Sequence, residues 1–202
     1  MRIFAALSAL GLAQTTTTAR SPEPSWSRMP AAPLRKLSDV PGVAVRYFDA
    51  VGKTVPELHD WLAKHGARDP QTHKVTPATS SWSIGSAVKW SRAGKQCTLT
   101  GVTLKFTATA ELPRLAAGVK LAAPMLSSWN AYVTALEDRQ AAQLAFVHDR
   151  LGEVERAIMR SNCGNWQKAA AAAITRLGEE QGQAFKLDPA TQPRLLEPGT
   201  TP

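Results

Sequence analysis

The stretch Trp129-Asn130-Ala131-Tyr132-Val133-Thr134-Ala135-Leu136-Glu137-Asp138-Arg139-Gln140-Ala141-Ala142-Gln143-Leu144 opens the longest periodic segment of the chain. Trp129, Val133, Leu136, Gln140, Leu144, Val147, Leu151, Val154 and Ile158 recur every three to four residues, the spacing of one helix face. At 1.5 Å per residue the pattern predicts a helix about 45 Å long. Gln140 interrupts a stripe that is otherwise apolar. A buried amide at that point needs partners, because an unsatisfied one costs about 1–3 kcal/mol. A second, alanine-rich helix is expected around Gln167 to Gln183, after which the sequence becomes rich in proline.

Upstream of the long helix the period changes. Residues 43–51 mix Val, Tyr and Phe as a first strand, and Gly52-Lys53-Thr54 turns the chain. Thr54 can cap a helix with Pro56 and Glu57 in its first turn and Leu58, Trp61 and Leu62 on one face, ending at Gly66. Residues 79–90 and 97–110 then alternate with period two. Val102, Leu104 and Phe106 point one way, and Thr103, Lys105 and Thr107 the other. The expected class is therefore α+β, a small antiparallel sheet with one wet face packed against long helices.

The first residues, Met1-Arg2-Ile3-Phe4-Ala5-Ala6-Leu7-Ser8-Ala9-Leu10-Gly11-Leu12-Ala13, give one positive charge, a short apolar run and a small-residue exit. That is the form of a secretory signal, assigned to residues 1–20 and too short to span a bilayer. Residues 21–42 carry Pro22, Pro24, Pro30, Pro33 and Pro41 and read as an extended tether. The remaining chain, residues 43–193, is the length of one domain, with 194–202 expected to be a disordered tail. No later apolar run approaches the roughly 20 residues of a transmembrane helix. The expected location is periplasmic or secreted.

Cys97 and Cys163 are the two cysteines of the sequence. In an exported chain an even pair reads as a disulfide, tying the strand region to the end of the long helix. A nucleophilic thiol is the alternative, although none of the scattered histidines offers an evident base. The formal net charge of +8 speaks to encounter with anionic partners rather than to fold. No basic run or binding motif supports nucleic acid, and Lys and Arg are spread through the chain.

Several of these features occur in a known order. The strand Val45-Arg46-Tyr47-Phe48 precedes Gly52-Lys53-Thr54, Trp82, Trp90 and Gly94-Lys95-Gln96-Cys97. Leu112-Pro113-Arg114, Trp129 to Leu136 and Cys163 follow. In order and spacing they resemble domain-of-unknown-function family 922, bacterial secreted proteins to which a zinc-dependent protease activity is ascribed. The resemblance spans about residues 43 to 193. It implies a zincin-like architecture, with a His-Glu-x-x-His motif on the long helix two residues after Ala135-Leu136. In such a motif two imidazoles four apart hold one zinc ion, and the Glu acts on its water as general base.

Here Arg139 stands at the first His, Gln140 at the Glu and Gln143 at the second His. The family's later histidine, a third ligand by resemblance, corresponds to Pro193 in Leu187-Asp188-Pro189-Ala190-Thr191-Gln192-Pro193. A guanidinium cannot ligate zinc, and an amide is neither a base nor a good zinc ligand. Arg139, Gln140, Gln143 and Pro193 are therefore read as a vestigial cleft with no catalytic residue, metal or cofactor. His59, His65 and His73, with Asp60 and Asp69, form the histidine-rich stretch, but no two histidines share the four-residue spacing of a helical metal site. His148 lies five residues beyond Gln143, on another face.

The expected function is a catalytically degenerate, zinc-protease-like binding or scaffold module of the bacterial envelope, with a peptide or an envelope protein as partner. An active zinc peptidase with other ligands, or an interaction partner of an active relative, are the alternatives. The sequence does not fix an oligomeric state.

Overall fold

A computed structural model of the chain describes residues 36–70, 72–186 and 192–195. The expected signal peptide, most of the tether and most of the tail lie outside these residues. The packed chain begins before Val43. A 3-10 turn at Leu37–Asp39 buries Leu37, and Val40 follows it into the core. Gly42 then brings the backbone against Phe106 at φ +80°, where a Cβ would lie 2.5 Å from the Phe106 carbonyl oxygen. Only glycine fits that approach.

Strand β1 (Val43–Ala50) leads to helix α1 (Val55–His65). Thr54 caps α1 by accepting from the Glu57 N–H, and the Glu57 carboxylate takes the N–H of Lys53, one residue before the cap, at 2.8 Å. The helix stops at Gly66, as the sequence indicates. Two short strands, β2 (Ala67–Arg68) and β3 (Val75–Thr76), pair as a small ladder. They are followed by the long strands β4 (Thr79–Ala93) and β5 (Gln96–Leu115).

The main sheet has the order β1-β5-β4. Strands β4 and β5 form the expected antiparallel pair, closed by a turn at Gly94 with φ +61°. Strand β1 adds a parallel pairing, Val43 opposite Ala108 through Ala50 opposite Leu115, so the sheet is mixed rather than wholly antiparallel. The crossover through α1 and the β2–β3 ladder makes the parallel pairing possible. Because β1 covers only the C-terminal half of β5, the rest of the β4–β5 hairpin continues as a two-stranded ribbon.

Such a ribbon is marginal by itself. Here Val102, Leu104 and Phe106 face the core while Thr103, Lys105 and Thr107 are exposed, as the alternation predicts. The Cys97–Cys163 disulfide, with Cα atoms 6.0 Å apart, pins the far end.

Helix α2 (Ala123–His148) starts a turn earlier than the periodicity indicates, with Pro124 in its first turn and Met125 buried. It does not run unbroken to Ile158. The chain turns at Asp149 and Arg150, and α3 (Leu151–Met159) resumes the stripe. The Arg150 N–H bonds to the Val147 carbonyl, tightening the last turn, and the Arg150 side chain holds Glu153 and Glu180. Gly152, a poor helix former, follows at once. The break lets α3 pack on both β5 and α4 (Trp166–Ala184). The apolar stripe survives it, with Trp129, Leu136, Leu144, Val147, Val154 and Ile158 all buried.

Candidate functional site

Residues Arg139 to Gln143 lie in the middle of α2, where β4 on one side and α4 on the other close over them. Four side chains form a circuit there. Ser80 Oγ on β4 donates to Gln143 Oε1 at 3.4 Å. Gln181 Nε2 on α4 donates to the Gln143 backbone carbonyl at 2.8 Å. Trp82 Nε1, two residues beyond Ser80 on the same face of β4, donates to Gln181 Oε1 at 2.9 Å. One strand and two helices are thereby joined by neutral hydrogen bonds, each worth about 1 kcal/mol net.

Arg139 reaches the end of α4, where its Nη2 donates to the Phe185 carbonyl at 3.0 Å. Phe185 is the C-cap of α4, so the guanidinium meets an orphan carbonyl at the negative end of the helix dipole. Burial pulls the Arg139 pKa below its ordinary value, yet a guanidinium remains a cation. The partner is thus a carbonyl, not the nearby Glu137 or Asp138. Phe185 also packs edge-on against Phe146, with ring centroids 5.7 Å apart.

Gln140 is 4% exposed, and its Oε1 is buried without a hydrogen bond among the described residues. Pro193 lines a different depression, of about 570 Å³, with His59, Leu62, Ala63 and Tyr132. Burial pushes the Tyr132 phenol up to about 12. Gln143 and Pro193 thus line separate depressions.

These residues do not fit a zinc ion. The Arg139 cation is committed to Phe185, the Gln143 amide oxygen to Ser80, and Pro193 has no donor atom. Among the described residues, no three His, Cys, Asp or Glu side chains come together as a metal-binding group. His65 bonds to the Trp61 carbonyl and lies tilted against the Trp61 ring, and Asp69 organises its own loop by accepting the Thr72 N–H. His148 sits edge-on to Phe106, with Nδ1 3.5 Å from Asp149 Oδ1.

What the circuit leaves open is a groove of about 800 Å³ between the start of β4 and α4, lined by Ser80, Ser81, Trp82, Gln143, Gly178 and Gly182 among others. Gly178 and Gly182, four apart, present one small-residue face of α4. A Cβ on Gly182 would meet nothing within 4 Å. Strand β4 is the terminal strand of the sheet, and no other strand among the described residues pairs with its outer edge. Gln181 was not legible as a site residue. It sits in Glu179-Glu180-Gln181-Gly182-Gln183, which reads as a solvated helix face.

The fold and groove define an α+β protein with a polar cleft between a sheet edge and a helix. The model of the family described as bacterial protein of unknown function (DUF922) matches residues 45–186, and the chain belongs to that family. No curated protein and no solved structure matches the chain significantly.

Proposed function

We propose that this chain is a catalytically degenerate, zinc-protease-like protein of the bacterial envelope that holds an extended peptide segment without cutting it. The observations that support the reading are the Ser80–Gln143–Gln181–Trp82 circuit and the Arg139–Phe185 bond, which use as structural hydrogen bonds the two helix positions, Arg139 and Gln143, where the family resemblance expects zinc-ligating histidines. The groove beside it borders a strand edge that no other strand among the described residues pairs, and an added strand gains main-chain hydrogen bonds there while its side chains enter the groove. Export is supported by the pattern of residues 1–13 and by the Cys97–Cys163 bridge, a pairing that oxidising compartments favour. No helix among the described residues is long and apolar enough to cross a membrane.

The test is a peptide array probed with the purified chain, with bound peptides recovered and their masses measured. Intact peptides should be retained, and Gly182→Leu should abolish retention while leaving the fold in place, since Gly182 lines the groove and a Cβ there meets nothing within 4 Å. Cleaved peptides would establish a peptidase instead. Retention unchanged in Gly182→Leu would place binding elsewhere.

A further inference from the structure

From Pro70 to Ala110 the sequence contains no Asp or Glu. That acid-free stretch includes all of β4 and most of β5, and the far end of their ribbon carries Lys89, Arg92 and Lys95, all exposed. A bulge between Lys89 and Trp90 shifts the register there. Trp90 is 57% exposed, and the Arg92 guanidinium lies 5.8 Å from its ring centroid. The pairing of Arg92 with Cys97, and of Cys97 with Cys163, brings the end of α3 to this ribbon end. There Met159 is 40% exposed, and Arg160 is exposed beside it, three residues before Cys163. The nearest acids on α3 are Glu155 and Glu153, and Glu153 is engaged by Arg150.

An exposed indole flanked by cations matches the layered polarity of a lipid headgroup region, with phosphates outside and apolar carbon beneath. A soluble polyanion would satisfy the cations but offer nothing to Trp90 and Met159. We propose that the disulfide-clamped end of the molecule, Lys89, Trp90, Arg92 and Lys95 with Met159 and Arg160, docks peripherally on an anionic phospholipid surface. The cations supply attraction to the headgroups, and Trp90 enters the interface. The surface is independent of the groove beside Gln143, so the protein could hold a peptide while seated on a membrane.

The experiment is co-sedimentation of the oxidised full chain with vesicles of phosphatidylcholine alone or with added phosphatidylglycerol. Partition should rise with phosphatidylglycerol and fall as salt screens the cations. Arg92→Ala/Lys95→Ala should lower partition about 30-fold, at about fivefold per removed cation. Trp90→Ala should lower it further at every anionic fraction. The apolar run of residues 3–13 is common to all variants, so differences among them report the ribbon end, and thermal melts of the variants check that each is folded. Equal binding to neutral vesicles, or equal binding by the double variant, would overturn the proposal. So would full displacement by polyglutamate at matched charge together with binding that Trp90→Ala leaves unchanged, which would make the surface a reader of acidic protein.

Discussion

Trp82 on β4 and Gln181 on α4, 99 residues apart in sequence, meet at 2.9 Å, the indole N–H donating to the amide oxygen. The same Gln181 side chain donates to the Gln143 carbonyl on α2, so one residue joins three elements. Gln181→Ala removes both bonds and leaves the half-buried Trp82 N–H unpaired, the Gln143 carbonyl keeping its helical partner, and should cost about 2 kcal/mol, against about 1 kcal/mol for Trp82→Phe. Because the residues share one bond, the double variant should cost less than the two singles combined. Urea denaturation of the four species measures the cycle.

Gln140 gives the opposite sign. Its buried Oε1 accepts no hydrogen bond among the described residues, so an unbranched apolar side chain of similar shape removes a desolvation penalty without opening a cavity. Gln140→Met should stabilise the protein by about 1 kcal/mol. A comparable loss of stability in the same urea titration would show that the amide has a partner.

The elements were legible where local chemistry decides them. Thr54, Glu57 and Gly66 bound α1, and the alternation of Val102 to Thr107 names the inner and outer faces of β5. The parallel pairing of β1 was not legible, because strand order depends on contacts between residues more than sixty apart. The break at Arg150 was hidden for a different reason. The apolar stripe passes through it in phase, and one of the two carboxylates that hold Arg150 at the turn is Glu180, a residue of another helix. At the site, the sequence says which ligand types are absent from Arg139 to Gln143, but Ser80, Trp82 and Gln181, which engage that segment, carry no local signal of doing so. The basic end was dispersed for the same reason, its cations coming from a hairpin and from the end of a helix that only the tertiary fold brings together.

The Cys97–Cys163 bridge closes a separation of 66 residues. On the loop-entropy account Cys97→Ser/Cys163→Ser should lose about 4 kcal/mol. The loss should be concentrated at the ribbon end, where β1 gives no support, so amides near Trp90 and Leu99 should exchange hydrogen faster than those near Ala110. Uniform acceleration along β5 would argue that the bridge stabilises the whole sheet.

The hydrogen bond from Arg150 holds the Glu153 carboxyl below the usual carboxylate range. A depressed folded-state pKa contributes stability that is present above the unfolded value of about 4.3 and is lost as pH falls through the folded value. The pair is nearly a third exposed, so its contribution is small. Glu153→Gln should therefore be less stable than the parent at pH 7, with the gap closing below about pH 4. A gap that persists at low pH would assign Glu153 a role other than its charge.

The central claim is that the Arg139–Gln143 segment locks helices together and holds no metal. Elemental analysis of the purified, folded chain after equilibration with excess zinc and gel filtration tests it most directly. The account predicts zinc well below one ion per chain, unchanged by replacing His59 or His148. One zinc per chain, lost when either histidine is replaced, would contradict it.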